Sequence, residues 1–323
     1  MTLSLALLGC GAIARTHART LTRFGSRVRL AFASREAARA EAYRRECRGF
    51  AAFPSYAAAM EAPDVDAVLV TTPPAQHREL VLAALQAGKH VIVEKPAFLR
   101  SSDADAVAAA AATAGRQVLV AENYAYKPIT RTLCRLLDAG EIGALRLVRL
   151  SALKSQATPD WRGSAELAGG GALFEGGVHW VNLLGWLGGE IVEVHGHEPG
   201  ALGRSGGRSE LERTMLVVVR YASGAVGTLH HSWEAPARLK GLSFSQLVGE
   251  RGTIVFESNG LCVLLNGKRK RLLLPGLRDI KGFRAMFDDF LTALATGAAP
   301  RMTLAAARRD LAVVEAAYRS AQA

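Results

Sequence analysis

Apolar residues in the first third of the chain gather into short unbroken runs, whereas those in the second half alternate with polar ones. The runs at 3–8 (LSLALL), 27–33 (RVRLAFA), 66–70 (DAVLV), 89–93 (KHVIV) and 117–121 (QVLVA) are each of strand length. Continuous apolarity over that length predicts strands buried on both faces, the condition of a parallel sheet. A shorter run at 50–53 predicts one more strand. Between the runs, residues 15–24, 36–46, 56–60, 79–87 and 102–114 read as helices. Gly88 stops the fourth, and Ser101, Ser102 and Asp103 offer caps for the fifth. Strands alternating with helices predict an α/β fold with a doubly wound parallel sheet.

After residue 124 the pattern changes. A helix at 128–140 precedes half-buried strands at 143–154 (GALRLVRLSALK), 191–197, 212–221, 225–233, 242–249, 253–256 and 261–265, with turns such as Ala222-Ser223-Gly224 between them. Strands in succession predict an α+β domain with an open, mainly antiparallel sheet. One face of such a sheet carries helices, and the other is free for contact between copies. Helices at 278–295 and 303–321 close the chain, the second capped by Thr303. A length of 323 residues exceeds what one hydrophobic core supports. The expected division is therefore a first domain over 1–124 and a second over 125–323.

The first apolar run ends in Gly9-Cys10-Gly11-Ala12-Ile13-Ala14, ahead of a helix. In a phosphate cradle of the Rossmann type, Gly9 permits the tight turn and Gly11 lets backbone approach a pyrophosphate. Ala12 and Ile13 open the helix with free N–H groups, and small Ala14 lets it pack closely on the strand. A bare turn has the same spacing, so support must come from the other strand ends. The second strand ends in Ser34-Arg35, where an NAD-binding fold keeps an acidic residue for the ribose hydroxyls. A hydroxyl beside a guanidinium suits a 2′-phosphate instead, so NADP is expected, with NAD as the other possibility. Arg35 has a second reading as a solvated first-turn residue. Residues 66–70 lead into Thr71-Thr72-Pro73-Pro74, which places Thr72 and Pro73 at the ligand crevice. His77 serves either the cofactor's edge or only the first turn of the next helix.

A formal charge of +11 raises the question of nucleic acid, but the excess is arginine spread over the whole length. The dense run Lys268 to Arg271 follows Asn266-Gly267, a dipeptide that favours a two-residue hairpin turn, and no aromatic residue is interleaved for base stacking. The charge reads as attraction for an anionic cofactor or substrate and not for nucleic acid. Residues 176–189 lack Asp, Glu, Lys and Arg but are glycine-rich, contain His179, and fall short of the roughly 20 apolar residues of a membrane span. Cys10, Cys47, Cys134 and Cys262 are scattered without CxxC spacing, which argues against a zinc knuckle or disulfide framework and fits a reducing compartment. No Lys or Arg precedes the apolar start, so it lacks the charged region of a signal peptide, and a cytoplasmic protein is expected.

The order and spacing of GCGAIA, TTPPAQH and, at 87–96, AGKHVIVEKP resemble the Gfo/Idh/MocA family of glucose-fructose oxidoreductases, inositol dehydrogenases and their relatives. The resemblance implies that Lys95 of Glu94-Lys95-Pro96 reaches the nicotinamide end of the site, with Glu94 beside the cofactor and a peptide at the proline commonly cis. An ammonium there stabilises negative charge developing on a substrate oxygen. Glu122-Asn123-Tyr124 resembles the family's crossing into the second domain. Asn123 and Tyr124 either touch nicotinamide or substrate or only fix the hinge. The segment 158–170 is a candidate substrate-facing loop, in which Trp161 either meets substrate or packs.

Residues 169–180 (GGGALFEGGVHW) resemble the family's second signature, a glycine run followed by Asp-x-Gly-x-His, with Glu175 in place of the usual Asp. On a helix the four-residue spacing puts Glu175 and His179 on one face. The resemblance makes His179 the proton donor and acceptor, a task its near-neutral pKa suits. Glu175 then orients it or binds substrate, with a carboxylate displaced by one methylene. Asn182 stands where relatives often carry Asp. A catalytic zinc normally wants three protein ligands, and His195 and His197 lie on an alternating strand, so no metal is expected. The implied activity is hydride transfer between nicotinamide and a carbinol or carbonyl carbon of a sugar, polyol or related small molecule, by a homodimer or homotetramer. A second reading keeps the fold and the dinucleotide in a sensor or structural subunit with weak or no turnover, and the change at Glu175 is the feature that keeps it open.

Overall fold

The computed structural model describes residues 2–158, 160–199, 211–236 and 242–322. They form two compact units, Met1–Glu122 with Phe283–Arg308, and Asn123–Gly282 with Arg309–Ala323.

In the first unit, strands and helices alternate as β1 (Leu3–Leu8), α1 (Ala12–Leu21), β2 (Val28–Ala33), α2 (Ala37–Cys47), β3 (Ala51–Phe53), α3 (Tyr56–Glu61), β4 (Ala67–Val70), α4 (His77–Gln86), β5 (His90–Glu94), α5 (Ser101–Ala114) and β6 (Val118–Ala121). The sheet runs β3-β2-β1-β4-β5-β6 with every pair parallel. The strand order reverses between β1 and β4, and ligands of such sheets bind outside the carboxyl ends at that point. Leu5, Leu7, Leu69 and Ile92 are fully buried, as continuous apolar runs require. The helix expected to reach residue 24 stops at Leu21, because the chain tightens into a 3-10 turn over Thr22–Arg27 with Gly25 at φ 55°. Helix α5 is capped by Asp103, which accepts from the Arg100 amide at 3.2 Å.

The second unit holds α6 (Pro128–Asp138), β7 (Leu145–Leu153), the single turn α7 (Ala165–Ala168), α8 (Val178–Gly188), β8 (Ile191–His197), β9 (Thr214–Tyr221), β10 (Val226–Ser232), β11 (Phe244–Gly249), β12 (Gly252–Glu257), β13 (Val263–Asn266) and β14 (Lys270–Leu273). Among the described residues its sheet is eight-stranded, in the order β14-β13-β12-β11-β7-β10-β9-β8, and only β7 and β10 pair in parallel. Alternate residues such as Met215, Val217 and Val219 are buried on the face that α8 covers, while Phe244, Leu264 and Leu272 stand exposed on the other. The basic hairpin differs from expectation. Asn266 pairs with Lys270, so the loop is Gly267 to Arg269, not two residues. Lys268 donates through its amide to Glu141 O and through Nζ to Ala139 O, which draws the loop onto the end of α6.

Helices α9 (Phe283–Thr296) and α10 (Leu304–Ala321) end the chain. The first begins after Gly282 at φ 76°, later than the expected residue 278. It belongs to the first unit: Phe287 and Phe290 are fully buried there, and Asp288 pairs with Arg27 at 2.5 Å. An apolar helix face does not name the surface that will receive it, which is why pattern alone assigned this helix to the second domain. Thr303 caps α10 by accepting from the Ala306 amide at 3.1 Å. Among the described residues, no helix is long and apolar enough to cross a membrane.

Candidate functional site

Strand β1 hands directly to Gly9 at φ 107°, a backbone that residues with side chains rarely adopt. Thr71 locks this turn, its Oγ1 lying 3.0 Å from both the Leu8 and Gly9 carbonyls. At Gly11 the position of a Cβ meets no atom of the protein within 4 Å. Internal packing therefore does not demand glycine at this position, whereas a ligand against the backbone would. Gly11 is the N-cap of α1, no side chain caps it, and the first turn carries no acid, so its N–H groups suit an anion. Ala12 is exposed, Ile13 half-buried and Ala14 fully buried. Thr72 Oγ1 is buried without a hydrogen-bond partner at the carboxyl end of β4, and Pro73 beside it is half-buried. An orphan hydroxyl and an open, uncapped helix start fit a bound dinucleotide.

Ser34 is buried and accepts from the Glu36 amide at 3.1 Å, while Arg35 is exposed. Glu36 precedes α2 and pairs with Arg39 at 3.3 Å. Arg39 had no motif to mark it, yet its charge acts on Cys10 in the glycine turn. Burial outweighs that charge and pushes the Cys10 thiol up to about 11, so the thiol stays neutral.

Strand β5 delivers half-buried Lys95 between buried Glu94 and Pro96, and the Lys95-Pro96 peptide is cis. Glu94, expected beside the cofactor, has both carboxylate oxygens bonded within the first unit. One carboxylate oxygen meets His17 Nε2 and the other accepts from the Lys95 amide at 2.9 Å. Burial raises the Glu94 pKa, but the His17 hydrogen bond and charge outweigh it and hold the carboxyl below its ordinary range. His77 is likewise buried, with Nε2 2.8 Å from Thr72 O and Nδ1 3.0 Å from Pro96 O and 3.2 Å from Ala97 O. Burial holds its pKa below the usual imidazole range. The ring is thus enclosed between the β4 turn and the lysine turn and not solvated at a helix start, and as a neutral imidazole it donates to one of the two.

In the second unit, residues Leu173–Gly177 wind as a π-helix that runs into α8, so the regular helix expected through Glu175 and His179 is interrupted. Such turns recur at functional sites. Glu175 is buried and accepts from Arg162 Nε at 3.2 Å. Arg162 comes from the 3-10 turn Asp160–Gly163, and its guanidinium lies 4.5 Å over the Trp161 ring. The longer carboxylate is thus matched by an arginine from the loop, and Trp161 packs beneath that arginine. His179 is only partly buried on a helix otherwise mostly enclosed, and its ring stacks on Tyr124 at 4.4 Å and 9°. Lys127 Nζ lies 4.2 Å from the centroid of the same Tyr124 ring. Asn123 Nδ2 donates to Lys281 O at 2.6 Å, which ties together the two stretches of the second unit next to residues 122 and 283, where the chain changes unit. Asn182 is fully buried and donates to Asp310 at 2.6 Å. Aspartate at 182 would set two buried carboxylates together, which disfavours ionising both.

Glu212 closes the start of the π turn. Its carboxylate accepts from the Leu173 amide at 2.7 Å and from Tyr318 OH at 2.9 Å, and its carbonyl accepts from the Ala172 amide at 2.9 Å. A side chain at Gly171 would collide with it. No local signal could mark a residue so distant in sequence. Burial pushes the Glu212 carboxyl up to about 7. A pKa raised on folding means stability that is full below the ordinary glutamate range and is lost as pH rises through about 7. The Tm is expected to fall from about pH 5 to about pH 8, and to fall less in Glu212→Gln, which stays neutral throughout. Thermal melts of both proteins across that range check this.

Residues 3–122 match the oxidoreductase family with an NAD-binding Rossmann fold, and residues 130–255 match the GFO/IDH/MocA C-terminal domain. Levoglucosan dehydrogenase of Pseudarthrobacter phenanthrenivorans is 29% identical over 219 residues, 60% of this chain and 56% of that protein. Inositol 2-dehydrogenase 2 of Saccharopolyspora erythraea is 30% identical over 299 residues, 90% of this chain and 82% of that one. The chain thus spans little more than half of the first relative and most of the second. In fold it is similar to a levoglucosan dehydrogenase solved with NADH and levoglucosan, at a TM-score of 0.89 and 21% identity over 100% of this chain and 98% of the other. On these matches and the two sheets described above, the chain belongs to the Gfo/Idh/MocA oxidoreductase family.

Proposed function

We propose that this protein is an NADP-preferring oxidoreductase that transfers hydride between nicotinamide and a CH–OH or carbonyl carbon of a sugar or polyol. The observation that carries this reading is the lysine turn. Lys95 is half-exposed at the end of β5, anchored by Glu94 and His77, in the same unit as a glycine turn whose open space suits a dinucleotide. A dinucleotide bound there would supply or accept the hydride. The Lys95 ammonium stabilises the negative charge that develops on the substrate oxygen. In the second unit His179, aligned by its stack on Tyr124, is the group suited to give the substrate a proton or take one away. Glu175, held by Arg162, accepts a hydrogen bond from a neighbouring substrate hydroxyl. Levoglucosan and inositol, named for two relatives, indicate the substrate class: a ring compound rich in hydroxyls. Exposed Phe244, Leu264 and Leu272 support a dimer or tetramer that covers the open sheet face.

The preference for NADP rests on Ser34 and exposed Arg35 at the end of β2. One hydrogen bond to a charged group is worth about 1.5–3 kcal/mol, so Arg35→Ala is expected to weaken NADPH by roughly 10- to 150-fold and leave NADH nearly unchanged. Titrations by nicotinamide fluorescence measure both. Tighter binding of NADH by the unaltered protein would reject the phosphate assignment, and binding of neither would reject the cofactor reading altogether.

A further inference from the structure

We propose that His17 is a positioning residue for Lys95, acting through the Glu94 carboxylate. The inference rests on the reading of Lys95 as the group that acts on the substrate oxygen. Glu94 spends both carboxylate oxygens inside the unit, one on His17 Nε2 of α1 and one on the Lys95 backbone amide. The carboxylate therefore spans from the helix behind the glycine turn to the residue whose side chain leaves the end of β5. His17 is fully buried, and Phe283 and Phe287 of α9 set their rings edge-on to it, at 5.3 Å and 89° and at 5.1 Å and 83°. That bracket fixes the imidazole plane.

The arrangement is a costly way to fill a core. Burying a carboxylate and the imidazole bonded to it costs desolvation that a well-packed apolar pair of similar volume avoids. His17 Nδ1 is in addition buried without a partner. Stability alone gives no reason for the buried pair, whereas a fixed direction for the Lys95 amide does. On the far side of the turn, buried His77 sets Nδ1 at 3.0 Å from Pro96 O and 3.2 Å from Ala97 O, so the ring packs against the backbone that follows the lysine. An error of about 1 Å in such a group is enough to cost on the order of 100-fold in rate.

The test uses the full chain with NADP⁺ and whichever member of a polyol panel it oxidises fastest. His17→Gln keeps an N–H donor within reach of Glu94. The paired change His17→Leu with Glu94→Leu removes both partners together, so no carboxylate is stranded in the core. His17→Asn, too short to reach Glu94, gives the same readouts should the leucine pair not fold. The expected result is that His17→Gln keeps kcat within about threefold, while the leucine pair loses about 10- to 100-fold with NADPH affinity unchanged. Combined with Lys95→Ala, the leucine pair adds no further loss, since both act on one group.

A second arm reads the lysine without turnover. After reductive methylation with carbon-13, the Lys95 signal, assigned by its absence in Lys95→Arg, keeps its position in His17→Gln and moves in the leucine pair. A loss of kcat that is the same with and without Lys95, or a Lys95 signal unmoved in the folded leucine pair, overturns the inference. A wild-type protein that oxidises no panel member overturns the dehydrogenase reading instead, and the lysine signal still decides the role of His17.

Discussion

His179→Ala is expected to lower kcat by about 100- to 10,000-fold, the usual worth of a positioned general acid or base, while Kd for NADPH stays within about twofold of wild type. The split follows from where the residue sits. His179 lies in the first turn of α8 in the second unit and stacks on Tyr124, whereas the glycine turn, Thr72 and Arg35 belong to the first unit. On the proposed reading, truncation removes the proton-transfer group and leaves unaltered every residue of the first unit proposed to hold the dinucleotide. Its ring is only partly buried and α8 keeps its apolar residues, so the fold is expected to survive. Steady-state rates beside a fluorescence titration separate the two effects, and a loss confined to cofactor affinity would remove His179 from the chemistry.

Lys95→Met is expected to cost about 100- to 1,000-fold in kcat, the range found when one donor to a developing oxyanion is removed. Methionine keeps an unbranched stem of similar length and removes the ammonium, so the change reads charge and not packing. Glu94 keeps its backbone bond to residue 95 and its bond to His17, which leaves the turn in place. A fall in kcat with KM little altered assigns the lysine to an interaction made in the transition state. A rise in KM alone, measured under the same conditions, would make it an ordinary binding residue.

The parallel sheet was legible because strands buried on both faces leave continuous apolar runs, and β1, β4 and β5 coincide with theirs to within a residue or two. Lys95, Glu175 and His179 stood out because each lies in a contiguous motif. What escaped notice was held by pairings distant in the chain. His17 and Glu94 are 77 positions apart, and Leu173 and Glu212 are 39 apart, with nothing local to couple them. The inward turn of Glu94 follows from His17, and the fixed place of Glu175 follows from Arg162. The π turn at Leu173–Gly177 has no periodic signature of its own, so spacing alone predicted a regular helix. The hairpin rule at Asn266-Gly267 was overridden by the bonds of Lys268 to the end of α6. Local chemistry reads well when the groups are neighbours in sequence, and tertiary partners decide which way a side chain turns.

The activity proposed for the chain is hydride transfer on a hydroxylated carbon. Nicotinamide absorbance tests it most directly, followed in wild type and His179→Ala with NADP⁺ against sugars and polyols, and with NADPH against the corresponding ketoses. The wild type is expected to reduce NADP⁺, or to oxidise NADPH, with at least one panel member, and His179→Ala to lose that activity. Tight cofactor binding with no absorbance change in either direction across the panel would contradict it, and would favour a dinucleotide sensor on the same fold.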